Sequence, residues 1–423
     1  MPITRIILFC LLFSLITYGL NYHISKSLIH IAAFFSVVNI AFALKNRTVK
    51  ALSFEVSTLC MCTVFLIAAA ITIIYTQIFN NPISIRHQQN FAYPLFYFAI
   101  ILPSVKVTEP DYQLIFYAAL IGCINMAGAG IYDYLQASSS TYRTAGMQNM
   151  PIIYASCMAL LTSWIAVEFF RRLFNHQWLL MSLCFIALSI GYIAILLTAS
   201  RGPIIASSVI IMITFAHYLA SIPSKKKVIY LLIATGLLSA FSLTFTSQTK
   251  LGENILNRFG AGIHNLSTFI DGSKKSATSI GIRLDMWQAA LETISDNPIT
   301  GIGPGTHHEH FIALSEKQSN SFNANIIRAF DHIHNDILQI LMSFGLIFGS
   351  ITLLFILYPS LFFIQALRCY PCAAIGLMGC ATFILCGLTD ATSFRAPSLT
   401  LFLLITSLNV AYINSKTPVG KNA

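Results

Sequence analysis

The sequence predicts an all-α integral membrane protein, with about twelve spanning helices of the length a bilayer core demands and a long helical loop between the ninth and tenth. Three observations lead there. Only 9% of the 423 residues are charged and 56% are hydrophobic, whereas soluble domains average about 25% charged residues. Such a chain cannot clothe a water-exposed surface. Apolar runs of spanning length recur along it. One polar stretch, from Gln248 to Asn335, interrupts that rhythm.

The apolar runs fall near residues 4–20, 27–44, 56–79, 91–105, 112–132, 151–170, 178–199, 203–221, 228–247, 337–358, 372–389 and 398–413. The first lacks a small-residue cleavage site, so it reads as a retained helix and not a signal peptide. The weakest is 91–105, which is short and holds Pro94 and Pro103. With the N-terminus in the cytoplasm, Lys45, Arg47, Lys50, Lys106, Arg171, Arg172, Lys225, Lys226, Lys227, Arg368, Lys416 and Lys421 fall inside. Short outside loops hold only Lys26, Arg86, Arg143, Arg201 and Arg395. That asymmetry follows the positive-inside rule and places both ends in the cytoplasm. The net charge of +10 therefore reports topology and not a nucleic-acid partner. The cysteines lie in helices or beside an inside loop, with none in the long outside loop, so no disulfide framework is implied. The spacing of Cys369 and Cys372 suggests zinc, but no second pair accompanies it.

The chain reads as one polytopic domain over residues 1–423, with 248–336 as a cap inserted within it. A connection this long is usually functional or disordered, and its patterning favours function. "GIRLDMWQAALETISDNPITGIGPG" predicts a helix from about Gly281 to Ser295. Ile282, Met286, Ala289, Ala290, Leu291 and Ile294 recur at helical spacing. Asn297-Pro298 ends it, and Gly301, Gly303, Pro304 and Gly305 make a loop. Such a helix beside a bilayer is expected to lie in the interface. "ENILNRFGAGIHNLSTFI", from Glu253, offers a second such piece. "GTHHEHF", with His307, His308, Glu309 and His310, reads as a solvated loop or an acceptor contact, because it lacks the i, i+4 spacing of a helical zinc motif.

Several polar residues are not explained by topology. Arg201, in "LLTASRGPIIAS", sits between two apolar runs with almost no loop, and Pro203 suits the first turn of the next helix. An arginine so placed is costly unless paired or solvated. Arg283 lies on the cap helix two residues before Asp285, and Arg143 lies in "TYRTAGMQNMP". Asp390 and Arg395 flank an outside turn and are able to pair with each other. His334 precedes the tenth span, where the partial positive charge of a helix start favours a neutral ring. A neutral imidazole can take a proton. His332 stands two residues away. Arginine forks recognise phosphate oxygens, so two outward arginines and one histidine suit a lipid-linked diphosphate. The base would deprotonate a hydroxyl, and the arginines would stabilise the departing diphosphate. No nucleotide-binding signature is present.

"LLTASRGP", "GIRLDMWQAALETISDNPITGIGPGTHHEHF" and "HIHNDILQILMSFGLIFG" follow in an order that resembles bacterial O-antigen ligases and related polymerases. The resemblance covers roughly 190–350, and "GLTDATSFRAP" resembles the ligase branch. It implies a multi-pass, metal-independent, cofactor-free glycosyltransferase of the inverting type C class, in the Gram-negative inner membrane with its site facing the periplasm. Such ligases move a finished glycan from undecaprenyl diphosphate onto a sugar of the lipid A–core. By motif, Arg201 and Arg283 take the diphosphate roles and His334 takes the place of the base. Arg143, His332, Asp390 and Arg395 are further candidates for substrate contact. The rivals are an O-antigen polymerase, a protein O-oligosaccharyltransferase and, from another class, a twelve-helix transporter. Against the transporter, no inverted repeat is evident, and charges gather at the outer face and not at mid-helix.

Overall fold

A computed structural model describes residues 2–47, 52, 55–137, 142–146, 148, 150–220, 279–317 and 330–416, with 252, 253, 256, 257, 260–262 and 264 as scattered positions between. Among these residues every regular element is helical. In chain order the helices are α1 (Pro2–Thr17), α2 (Tyr22–Lys45), α3 (Val56–Phe79), α4 (Pro82–His87), α5 (Tyr93–Ile101), α6 (Glu109–Gln136) and α7 (Pro151–Phe174). Then come α8 (Trp178–Leu197), α9 (Arg201–Ala220), α10 (Ser279–Asp296), α11 (His307–Lys317), α12 (Asp336–Ala366), α13 (Ala373–Gly387) and α14 (Ala396–Lys416).

Eight of them, α2, α3, α6, α7, α8, α9, α12 and α14, are long and apolar enough to cross a membrane. Residues 3–17 and α13 are shorter apolar helices. The run expected at 91–105 is not a simple span. A π-helical turn over Gln88–Ala92 joins α4 to α5, and a 3₁₀ turn over Leu102–Ser104 ends it. Pro94 sits at the start of α5, where its missing N–H costs least. The expected span at 228–247 lies outside the described residues, as does much of the helical piece expected from Glu253. The protein is thus an all-α, multi-pass membrane protein, while twelve spans exceed the helices that qualify among the described residues.

Burial explains which helices are central. α7 and α14 are enclosed almost throughout by their neighbours, whereas α2, α8 and α9 show mostly outward surface. One continuous apolar core runs from Ile7 to Ile413, with Trp164, Phe98, Phe116 and Phe383 fully buried in it. Tyr18 donates to the carbonyl of Pro397, tying the end of α1 to the start of α14.

The cap has its own small core. Met286, Ala289, Ala290 and Ile294 of α10 pack with Ile302, Phe311, Ile333 and Met342. The helical spacing seen in the sequence is therefore real, but its apolar stripe meets protein and not the bilayer interface. Leu291, expected on that stripe, is exposed. A second correction concerns "GTHHEHF": His307 opens helix α11, and its side chain is 1% exposed. Phe311 at i+4 joins the cap core, and burying that pair favours a turn of helix over a solvated loop.

α12 is broken where the cap enters it. Gly345 has φ 74° and ψ 177° inside the helix, a conformation essentially reserved for glycine. The freed backbone groups bond to the loop after α10. Ile302 N–H donates to the Met342 carbonyl (3.0 Å), Gly303 N–H to Ser343 (2.9 Å), and Leu346 N–H to Pro298 (2.7 Å).

Candidate active site

The site is built around "DHIHND", whose residues are tied to α4, α10, the start of α12 and the turn before α14. Asp331 pairs with Arg86 in the last turn of α4. His332 meets His87, Nδ1 to Nε2 at 3.2 Å, with the rings stacked. Ile333 is pinned at both ends of its peptide unit. Its N–H donates to Gln339 Oε1 (3.0 Å), and its carbonyl accepts from Trp287 Nε1 of α10 (3.0 Å). Asn335 caps α12 by accepting from Leu338 N–H (3.1 Å). The Asp336 carboxylate accepts from the Thr392 hydroxyl (2.6 Å) and from the Ser393 N–H and hydroxyl. His334 is held between these anchors in the left-handed region, at φ 57°. That region is uncommon for a residue with a Cβ and persists where its surroundings enforce it.

His334 Nδ1 lies 2.8 Å from Asp390 Oδ1. The expected Asp390–Arg395 pairing is replaced by this bond. Burial would raise the Asp390 carboxyl, but the His334 bond and the positive charges of Arg395 and Arg283 hold it below its ordinary value. An ionised carboxylate only accepts hydrogen bonds, so His334 Nδ1 carries the proton of this bond and, in the neutral ring, Nε2 is the acceptor nitrogen. Asp390 is 1% exposed, and its Oδ2 has no hydrogen-bond partner among the described residues.

Two arginines act on the same carboxylate from separate elements, Arg395 in the turn after it and Arg283 on α10. Arg283, half-buried on α10, has its pKa lowered by burial and raised in part by Asp390. Arg201 opens α9, and the next residue, Gly202, abuts Thr389: a Cβ there would stand 1.9 Å from the Thr389 hydroxyl. Only glycine lets α9 approach the Asp390 turn so closely. The Arg201 guanidinium lies against Gly262, beside Ile280 at the start of α10. Arg143 is engaged differently. It donates to the Thr198 carbonyl (2.8 Å) and the Ser200 hydroxyl (3.0 Å), bracing the turn that presents Arg201.

Residues 183–354 match the model of a known family, described as O-antigen ligase. The chain is similar to that family over this stretch, which is less than half of its length. The matched stretch runs from α8 through the cap and into α12, and so contains Arg201, Arg283, His332 and His334, whereas Asp390 and Arg395 lie beyond it. A similar protein is an uncharacterized one from Haemophilus influenzae, 29% identical over 185 residues, which cover 44% of each chain. The matched part thus spans less than half of that relative's length.

Beside His334 lies a group of three further histidines, of which His87 went unmarked in the sequence. His87, His332 and His307 are all buried, and each has one ring nitrogen without a hydrogen-bond partner among the described residues. Burial and the neighbouring His308 push His307 down to about 4, against the raising effect of the Phe330 carbonyl. Burial, then His87 and Arg395, push His332 far below the usual histidine range. Both rings are therefore neutral at neutral pH. Among the described residues no three His, Cys, Asp or Glu side chains are placed to hold a metal ion. The only signal that could have found His87 was its place beside a charged residue at the edge of a weak apolar run, which does not single it out.

Proposed function

We propose that this protein is an O-antigen ligase, transferring a glycan from undecaprenyl diphosphate to a sugar of the lipid A–core at the periplasmic face of the inner membrane. The observation that carries the reading is the 2.8 Å bond from His334 to Asp390, with Arg283 and Arg395 acting on the same carboxylate, in a chain similar to the O-antigen ligase family. His334 Nε2 takes the proton of the acceptor hydroxyl as its oxygen attacks the anomeric carbon. The bond from that carbon to the phosphate oxygen breaks, and the electron pair leaves with the diphosphate. Asp390 stabilises the imidazolium as it forms. Arg201 and Arg283 balance the charge of the departing diphosphate. Arg395 sits within reach of the same field, and His332 orients the segment through His87.

The test is reconstitution of the purified protein with lipid-linked donor and rough lipopolysaccharide, read as a gel shift. Wild type should transfer glycan, with EDTA present as well as without. His334→Ala should lose roughly 100-fold or more, the usual worth of a general base. Full transfer by that variant would sink the base assignment. Extension of the carrier-linked glycan, or transfer to a protein, would reassign the chain to the polymerase or oligosaccharyltransferase reading.

A further inference from the structure

We infer that a second site, between α2, α5 and α14, binds the phosphorylated sugar headgroup of a glycolipid, and that it holds the acceptor of the proposed transfer; this last step rests on the ligase reading. A cavity of about 340 Å³ opens there, within the range of small-molecule sites. Its lining combines Lys26, His30, Gln89 and Asn90 with the rings of Tyr22 and Tyr97. Amides and a cation beside aromatic faces are the chemistry that recognises a sugar bearing phosphate: the rings cover apolar sugar faces, the amides meet hydroxyls, and the ammonium meets phosphate.

The polar groups are available for such a ligand. None of the described ion pairs includes Lys26, and no described hydrogen bond engages the side chains of Lys26, His30, Gln89 or Asn90. Lys26 and His30 lie on successive turns of α2, facing outward on a helix long and apolar enough to span. Lys26 stands in the second turn of α2, at its outer end, where a lysine reaches the level of lipid headgroups and meets a lipid-borne phosphate. His30 packs edge-on to Tyr97, with ring centroids 4.8 Å apart.

The placement suits an acceptor. Ala396, which lines the cavity, directly follows Arg395, and Gln89 and Asn90 belong to the π-helical turn directly after His87. The cavity is thus next along the chain to Arg395 and His87, of which the first acts on Asp390 and the second meets His332. The Tyr18–Pro397 contact fixes the start of α2 and the start of α14 at the same end of the molecule as His334.

The test uses the full chain in nanodiscs and native mass spectrometry, with bisphosphorylated lipid A as probe. Phosphatidylglycerol, inorganic phosphate and dephosphorylated lipid A are the other arms. Lipid A should bind at least about tenfold tighter than any of the three, and Lys26→Gln should remove most of that margin, as loss of a phosphate-binding charge does. Lys26→Arg should keep it. Lys26 is exposed, so these changes leave packing intact. In turnover, Lys26→Gln should raise the acceptor KM and leave the donor KM and kcat near wild type. Equal binding of phosphatidylglycerol, or unchanged lipid A binding by Lys26→Gln, would overturn the site. If wild type binds lipid A selectively and yet transfers nothing to rough lipopolysaccharide, the site stands and the ligase reading falls.

Discussion

Asp390 is the residue on which the proposed chemistry turns. It fixes the tautomer of His334 and faces two arginines that would otherwise repel each other. Asp390→Asn keeps the shape but removes the charge, and the amide is able to donate to Nδ1 and so place the proton on Nε2. We expect kcat to fall by roughly 100- to 10,000-fold, the span seen when a base loses its orienting carboxylate, with the donor KM little changed. Steady-state assays of the reconstituted variant check this, and a fall below about threefold would remove Asp390 from that role. Its depressed pKa also gives a sign for stability. The contribution of Asp390 is fully present above the ordinary carboxylate value near 3.9 and is lost only as the pH falls through its lower folded value. From pH 5 to 8 this group should not alter thermal stability.

At the scale of the element, the broken helix α12 deserves comparison with an unbroken one. A Cβ at Gly345 would stand 2.2 Å from the Ile299 carbonyl oxygen, in a backbone conformation that side chains resist. Gly345→Ala should therefore destabilise by at least about 1–3 kcal/mol from strain alone, and it should lower transfer although His334 is untouched. Gly128 of α6 has open space around its Cβ position. Gly128→Ala should be neutral or stabilising by up to about 1 kcal/mol. Thermal unfolding of the two purified variants separates these outcomes. Equal melting temperatures would show that the break is not needed. The sequence made the helices legible because apolar periodicity is a local property: Val56–Phe79 matches its expected run end for end. It hid the break, since "MSFGLIFG" is as apolar as a continuous span, and the partner strand of backbone, 298–303, lies elsewhere in the chain.

For the whole molecule, the end opposite the site is held by charge. Glu168 of α7 is fully buried and accepts from Arg171 (2.6 Å), Arg172 (3.3 Å) and the Tyr112 hydroxyl of α6 (3.0 Å). Tyr112 stacks on Tyr412 of α14 with centroids 4.0 Å apart, and Arg5 of α1 pairs with Asp111. Four helices thus meet on one polar knot. Glu168→Ala leaves the buried Arg172 and the half-buried Arg171 without their carboxylate and should cost about 3–5 kcal/mol. Lys416→Ala removes only an exposed partner of Glu109 and should cost under about 1 kcal/mol. Detergent melting curves would check the contrast, and equal losses would refute it. The basic residues were legible as a topological bias, yet not as a knot, because Glu168 is a single acid inside an apolar run. The same limit applied to the candidate site: Arg201, Arg283 and His334 stood out by type and neighbours. The partnership of His334 with Asp390 spans fifty-six positions, and spacing along the chain does not encode it.

The seam at Gly345 bears on how such proteins diversify. Main-chain groups of 298–303 complete the hydrogen bonding of α12, so those residues belong mechanically to the membrane body although they arise from the cap. An exchange of caps between related proteins would have to leave that seam with the recipient and join on its far side, beyond Gly303. Variation is then free to accumulate in the stretch after the seam, while the backbone bonds on either side of Gly345 stay constant.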